Sequence, residues 1–436
     1  MSSHSTPSGL APAPSSSTLP PGAWLAVVLL WSAAASNYLT RTMLTTMRGS
    51  ILEEIPMTDA QFGLLTSVFL WTYALFSPLG GFFADRFSRR SVVLGSILSW
   101  SAITWVTAYV TSFEQFLVLR GLLGISQALY IPAAVALIVD YHRGPTRALA
   151  AGSHTTGLVI GSMIGGVGGW IAEDRGWTAA YSLIGAPNLL LGLALVFLLR
   201  EPSREDREVL REAAPKIRFS EALVSLLRFG PFYFLLAFFA LQGAVGWIII
   251  GWMPTLMREQ YAMGQGAAGF SALGYVYALQ ITGLLGGGYL SDRLSVRRPR
   301  ARVLLPTLVF FAGAPIFFLT GYSSLFFLTA LSLMAWGLAL GILGANFMPI
   351  VCTIVDVRYR ATAVGITNAF AAVCGGLSVF AVGAMRDAEV PVRAVIFLAG
   401  FGALTCGLAL WLVDFTQRRQ AARNLSPSPS NSNPTS

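Results

Sequence analysis

Residues Gly80–Arg90 read GGFFADRFSRR, and residues Gly287–Arg297 read GGYLSDRLSVR. Both fit G-G-aromatic-x-x-D-R-x-S-x-R, with Asp85 and Asp292 set 207 positions apart. Two further pairs repeat in the same order. IVD ends an apolar run at Ile138–Asp140 and again at Ile354–Asp356, and the next run opens with RALAAG (Arg147–Gly152) or RATAVG (Arg360–Gly365). Three matched blocks in one order mark an internal duplication, so the chain reads as two homologous halves.

The 436 residues are 55% hydrophobic and only 11% charged, less than half the roughly 25% charged share of soluble domains. Mean hydropathy is +0.65. About 20 apolar residues suffice for a membrane-crossing helix. Twelve such runs lie near 23–45, 61–83, 91–111, 115–139, 148–171, 179–199, 230–253, 268–290, 303–320, 324–352, 361–384 and 394–413. They lack the polar faces that soluble helices need. The expected fold is an all-α integral membrane protein of twelve transmembrane helices in two pseudo-symmetric six-helix bundles. Residues 1–22 read as a Ser/Pro-rich disordered tail with no signal-peptide character. Residues 23–200 form the first bundle, 201–229 a linker, 230–415 the second bundle, and 416–436 a second tail. The linker stretch REDREVLREAAPK has Glu/Arg spacings of three and four, which suit short amphipathic helices.

The net charge of +9 follows from sidedness. Of 29 Lys and Arg, five (Arg48, Arg175, Arg258, Arg386 and Arg393) fall on the side of the odd-numbered connections, and Arg41 and Arg120 lie within helices. The remaining 22 share one side, which the positive-inside rule makes the cytoplasm, with both termini there and the protein in the plasma (inner) membrane. Nucleic acid is therefore not an expected partner. No phosphate loop of the G-x-x-x-x-G-K type occurs. The three histidines show no metal spacing and no catalytic constellation is present, so neither a metal, a cofactor nor an enzyme is expected. Cys352, Cys374 and Cys406 sit in apolar runs as small buried hydrophobes.

The repeated loop resembles the G-x-x-x-D-R-x-x-R-R motif of the major facilitator superfamily, over roughly residues 23–415. That resemblance implies that Asp85, Arg86, Arg89 and Arg90, with the weaker copy Asp292 and Arg293, make charge contacts that stabilise one closed state. Asp356 or Asp140 would be their acidic partner. NYLTR in helix 1 resembles the N-Y-L/I-D-R of the anion:cation symporters, whose members carry sugar acids. FGLLTSVFLWTYAL, RGLLGISQALYIPAA, GWMPTLM and RATAVGITN also fit, and a spinster-like lipid-transporting branch shares much of the pattern. The family's acids in helices 1 and 4 fall on Thr40 and Gln127. The resemblance links those acids to proton coupling, so coupling here is expected to be weak, absent or routed differently.

All 20 Asp and Glu can be placed in connections or at helix ends, while two arginines lie mid-membrane. A buried charge faces the bundle interior or a wet cavity. Arg41 and Arg120 would thus make a positive central cavity whose counter-ion is an anionic substrate, held by charge-assisted hydrogen bonds. Arg120, Gly124 and Gln127 share one helix face. Arg120 has a second reading, bonded to helix carbonyls. Tyr73 falls where sugar-acid members place a substrate-facing tyrosine, and Asn368 matches their G-x-x-N. Gln242, Trp247, Gln280 and Asn346 are candidates from mid-helix polarity alone. His154 is the one membrane-embedded group titrating near neutral pH, and so the coupling candidate; its alternative is a hydrogen bond between helices. The leading expectation is alternating-access transport of a small organic anion by a monomer, with the coupling ion open. A lipid-type substrate and a non-transporting membrane sensor stay as alternatives.

Overall fold

The computed structural model describes residues 19–142, 144–201, 219–298 and 300–425. Among them every long element is an α-helix. In chain order these are α1 (Ala23–Thr46), α2 (Arg48–Glu54), α3 (Asp59–Arg86), α4 (Arg89–Thr107), α5 (Phe113–Ala128), α6 (Tyr130–Tyr141), α7 (Arg147–Ile164), α8 (Val167–Arg175) and α9 (Trp177–Leu198). The second half continues with α10 (Phe219–Leu227), α11 (Gly230–Tyr261), α12 (Gln265–Ser295), α13 (Ala301–Tyr322), α14 (Phe326–Ile354), α15 (Arg360–Asp387) and α16 (Val392–Leu425). The expected fourth and fifth spans are each broken once, between α5 and α6 at Leu129 and between α7 and α8 at Gly165–Gly166. The linker stretch REDREVLREAAPK and most of both tails lie outside the described residues.

Eleven helices are long and apolar enough to cross a membrane, with each broken pair counted as one. The run expected at 91–111 is not among them. It forms the 19-residue α4, which carries Arg89, Arg90 and six Ser or Thr hydroxyls that lower its hydropathy.

Starts are specified locally. Thr58 and Gln61 form a reciprocal capping box at α3, while Ser88 and Ser112 cap α4 and α5. Between α8 and α9 the chain turns on Gly176 at φ 84, a left-handed conformation that side chains disfavour.

Helix pairing repeats in the two halves. Lipid tails are as apolar as leucine, so membrane helices associate by close backbone approach through small residues. Gly157 and Gly161 of α7 and its C-cap Gly165 fall four apart, and a Cβ on any of them would run into α1 at Trp31, Ala35 or Thr42. The corresponding pair in the second half is α11 with α15, where Gly243 abuts Ala371. Likewise Gly124 of α5 seats against the Phe69 carbonyl of α3, and Gly337 of α14 against the Val276 carbonyl of α12. Phe69 and Val276 are 207 positions apart, the offset of the repeated loops.

The halves meet along α3 with α15 and along α7 and α8 with α12. The described ends near residues 19 and 425 and the repeated loops share one end of the molecule, the terminal face. The connections 55–58, 262–264 and 388–391 lie at the other, the far face. A Cβ on Gly63 would sit 2.8 Å from the Val379 carbonyl. Ser67 donates to the Gly376 carbonyl at 2.6 Å, and Trp71 to the Val373 carbonyl at 3.3 Å. These contacts run from the far face to about mid-depth.

Candidate functional site

Arg41 comes from the middle of α1 and is 4% exposed. Its Nε donates to Asn37 Oδ1 at 3.0 Å, one turn earlier, and to Gln127 Oε1 of α5 at 2.9 Å. The guanidinium carbon lies 4.3 Å from the ring centres of both Tyr38 and Tyr73 and 5.4 Å from that of Phe69. Aromatic faces are attractive to a cation and contribute about 2 kcal/mol or more when desolvated. They are not counter-ions, however, and Arg41 Nη2 is buried without a hydrogen-bond partner.

Arg120 of α5 is 2% exposed. Its Nε donates to the Leu65 carbonyl at 3.2 Å, so the carbonyl-bonded reading accounts for one of its nitrogens. Its guanidinium carbon lies 4.8 Å from the centre of the same Phe69 ring, while Nη1 and Nη2 are both buried without a partner. Phe69 thus ties the two arginines into one cluster, stacked in turn on Tyr73. No carboxylate pairs with either arginine among the described residues. Buried donors without acceptors are costly, and a buried charge without a partner more so. The cluster is a set of oriented N–H donors complementary to an anion.

The two positions where the resembled family carries acids also meet here. Gln127 Nε2 donates to Thr40 Oγ1 at 2.9 Å, and the Thr40 hydroxyl passes its own proton to the Asn37 carbonyl at 2.8 Å. Arg41 fixes the amide, because its Nε requires the carbonyl oxygen of Gln127. Neither Gln127 nor Thr40 carries a proton that titrates near neutral pH.

Arg41, Tyr73, Arg120 and Gln127 are therefore brought together. Gln242 is half-buried beside Gly246, and Asn368 is exposed on α15. Neither makes a hydrogen bond among the described residues. Asn346 bonds Ser291 at 2.8 Å between α14 and α12. Trp247 lies against Gly375. Gln280 Oε1 is buried without a partner. His154 meets the Tyr130 hydroxyl at 3.2 Å, and that hydroxyl also bonds the Leu30 carbonyl, which matches the interhelical alternative. Asn37, Tyr38 and Phe69 join the cluster without having been singled out. Asn37 and Tyr38 stood in the NYLTR stretch, whereas an apolar Phe69 carries no sequence signal for a cation.

Among the described residues, the repeated-loop charges that find partners find them within their own half. Arg89 reaches Asp140 at 2.5 Å and the Ala136 carbonyl at 3.0 Å. Arg90 donates to the carbonyls of Val196 and Leu199. Asp292 pairs with Arg302 at 2.9 Å, and Asp356 with Arg358 at 3.2 Å rather than with a loop arginine. Arg86 and Arg293 are exposed, and the side chain of Asp85 lies outside the described residues.

Ion pairs between the halves lie on the far face. Asp59 of α3 binds Arg48 of α2 and, across the interface, Arg386 of α15 at 2.8 Å. Arg386 also reaches Glu259 of α11 at 2.7 Å and covers the Trp252 ring. The Asp387 carboxylate accepts the backbone N–H groups of Asp59 at 2.8 Å and Ala60 at 2.9 Å, capping α3 from the opposite half. In the sequence Arg48 and Arg386 bear only on sidedness, and Asp59, Glu259 and Asp387 do not stand out from the other acids at helix ends. Their signal was a base and an acid flanking the outer ends of the second and eleventh spans.

A family model described as Major Facilitator Superfamily matches residues 30–379. The probable sulfoacetate transporter of Cupriavidus necator is 26% identical over 402 residues, covering 84% of this chain and 89% of that protein. Protein spinster homolog 1 of Xenopus tropicalis is 26% identical over 312 residues, covering 67% of this chain; the match spans only 59% of that relative's length. A crystal structure of a bacterial homolog of the human lysosomal transporter Spinster, inward-facing and unoccupied, superposes with a TM-score of 0.72. It is 21% identical and covers 95% of this chain and all of that one.

Proposed function

The chain belongs to the major facilitator superfamily, and from that premise we propose that it carries a small organic anion across the membrane by alternating access, with Arg41 and Arg120 as the substrate's counter-charges. One observation carries the reading. Two buried guanidinium groups share an aromatic ring, hold three partnerless terminal nitrogens and face no acid among the described residues. A carboxylate or sulfonate placed there would satisfy those donors with charge-assisted bonds. Tyr73 and Gln127 would orient it. The sugar acids of the resembled family are one candidate class. The relative named a sulfoacetate transporter adds short sulfonates.

Sidedness supports a cytoplasmic terminal face, which makes the far face external. The interlocked far face then corresponds to a carrier closed outward. The neutral Thr40–Gln127 pair supports proton-independent movement, because a coupled proton needs a group whose charge changes between states.

The test is uptake into proteoliposomes of a panel containing sulfoacetate, glucuronate and galactonate. Arg41→Ala is expected to abolish uptake of whichever anion is carried, and Arg41→Lys to impair it, since an ammonium lacks the planar fork. Normal uptake by Arg41→Ala removes the reading. An imposed pH gradient at clamped potential is expected to drive no accumulation in the wild type, and strong accumulation would refute proton independence.

A further inference from the structure

A crevice of about 270 Å³ opens on the far face between the two halves. Thr45 and Gly49 line one wall, from α1 and the start of α2. Thr255, Arg258 and Glu259 of α11 line the other. The acids around it are already engaged by partners other than Arg258. Arg48 and Arg386 are matched by Asp59 and Glu259. Of the other acids there, Asp387 accepts the backbone N–H groups of Asp59 and Ala60, and Glu173 accepts that of Gly266 at 2.9 Å. Arg258, an exposed residue of the crevice lining, is paired with none of them. Its chain neighbour Glu259 is held by Arg386 and approached by Arg48. Arg258 has no ion pair or hydrogen bond of its own among the described residues.

Its guanidinium instead crosses to the first half and lies on Gly49, where any Cβ would overlap Arg258 Nη1. Thr255, one turn earlier on α11, is 4% exposed, and its hydroxyl oxygen has no hydrogen-bond partner. A cation without a counter-ion and a buried hydroxyl without a partner thus line one crevice. Its floor is close to the central cluster: Thr45 follows Arg41 by one turn on α1, a rise of about 5.4 Å.

We propose that this crevice is a second anion site, taking the same class of small carboxylate or sulfonate as the central arginines. The ligand class rests on the reading of that central site. An anion here bridges Arg258 and the hydroxyl of Thr255 to the first half. Both walls belong to different halves, so the site exists only while the far face is closed. A ligand that binds one state alone shifts the equilibrium toward it. Anion on this side therefore holds the far face shut, as well as standing one turn from the Arg41 cluster.

Equilibrium binding of radiolabelled sulfoacetate and sulfate to the purified full chain tests this by stoichiometry. Two sites are expected in the wild type. Arg258→Gln combined with Thr255→Val should lose one and keep the central site, and Arg41→Ala should lose the other. Gly49→Ala keeps every charge but displaces the guanidinium, and should weaken the crevice site about tenfold, a loss of roughly 1.4 kcal/mol. A misfolded variant loses both sites, and Gly49→Ala then decides the matter. A single wild-type site, lost in Arg41→Ala and kept in Arg258→Gln, overturns the crevice and leaves the central reading standing. A single site with the reverse pattern supports the crevice and removes the central reading. Two sites that survive Arg258→Gln and Gly49→Ala unchanged also overturn the crevice. Absence of binding by both probes overturns both sites.

Discussion

Arg386 and Arg89 each sit at the end of a long helix, and each meets a carboxylate. Arg386 closes on Asp59, a residue of the other half. Arg89 closes on Asp140, in its own half. The same difference holds around them. On the far face Asp387 caps α3 from across the interface, and Gln265 bonds both the backbone and the side chain of Ser50. On the terminal face Arg90, Asp292, Asp356 and Asp414 all bond within their own half. Charges that cross between rigid bodies report which state is populated, because they exist in one state only. Charges within a body hold that body together in every state. We therefore propose that the far face carries a latch, while the loop charges paired among the described residues act within one half.

The sharpest way to break this comparison is Arg386→Ala. It leaves Asp59 and Glu259 facing each other with Arg48 alone between them. Removing one partner from a buried ion pair costs about 3–5 kcal/mol. These side chains are only 13–14% exposed at Arg386 and Asp59, but Glu259 is 48% exposed, so roughly 2–3 kcal/mol is the reasonable share. That moves the closed-to-open ratio of the far face by about a hundredfold. The probe is Ser67→Cys in a chain stripped of its native cysteines, since Ser67 is fully buried against Gly376. Its labelling by an impermeant maleimide from the far side should rise steeply. Unchanged labelling would remove the latch.

Arg89→Gln addresses the other side of the comparison and has a smaller effect. The variant gives up the charge pair to Asp140, whose side chain is nearly inaccessible. A loss of about 1–2 kcal/mol in the stability of the first half is expected, read as a lower thermal midpoint in detergent. Ser67→Cys labelling should not move in this background. A labelling change as large as that of Arg386→Ala would show that the repeated loop also belongs to the latch.

The two faces differ in how far the sequence reveals them. The duplication, the apolar runs and the helix stops are local signals, and they carry the architecture. The same pattern reading separates Arg41 and Arg120 from every other cation, because an arginine inside an apolar run needs no partner information to stand out. The partnership of Gln127 with Thr40 and Arg41 is nearly legible, as all three sit in recognisable stretches. Phe69 is not: a phenylalanine in a run of apolar residues looks like core until the fold sets two guanidinium groups around it. Arg48, Asp59, Glu259 and Arg386 are hidden for another reason. Each is an ordinary charge at a helix end, and the pair Asp59–Arg386 is separated by 327 residues. Only the packing of α3 on α15 brings them together. Repetition makes the terminal-face loops conspicuous, and conspicuousness in sequence says nothing about whether a charge crosses the interface.

The smallest effect is expected at Asp356. Its carboxylate accepts the backbone N–H of Arg358 at 2.9 Å and pairs with that residue's side chain, and both residues are exposed on the terminal face. Bonding to Arg358 holds the Asp356 carboxyl below the usual carboxylate range. A group depressed in this way contributes its stabilisation above its ordinary value of about 3.9 and loses it only as pH falls through the lower folded value. Between pH 5 and 8 it stays ionised, so it offers the terminal face no titration in that window. Asp356→Asn keeps an acceptor for the Arg358 N–H and gives up an ion pair of the exposed kind that contributes little. The variant should match the wild type in thermal midpoint and in Ser67→Cys labelling at each pH from 5 to 8, with labelling in both rising alike as the thiolate forms. A pH-dependent gain of labelling in Asp356→Asn alone would mean that Asp356 reaches the other half in a second state. The terminal face would then hold a latch of its own, engaged when the far face opens.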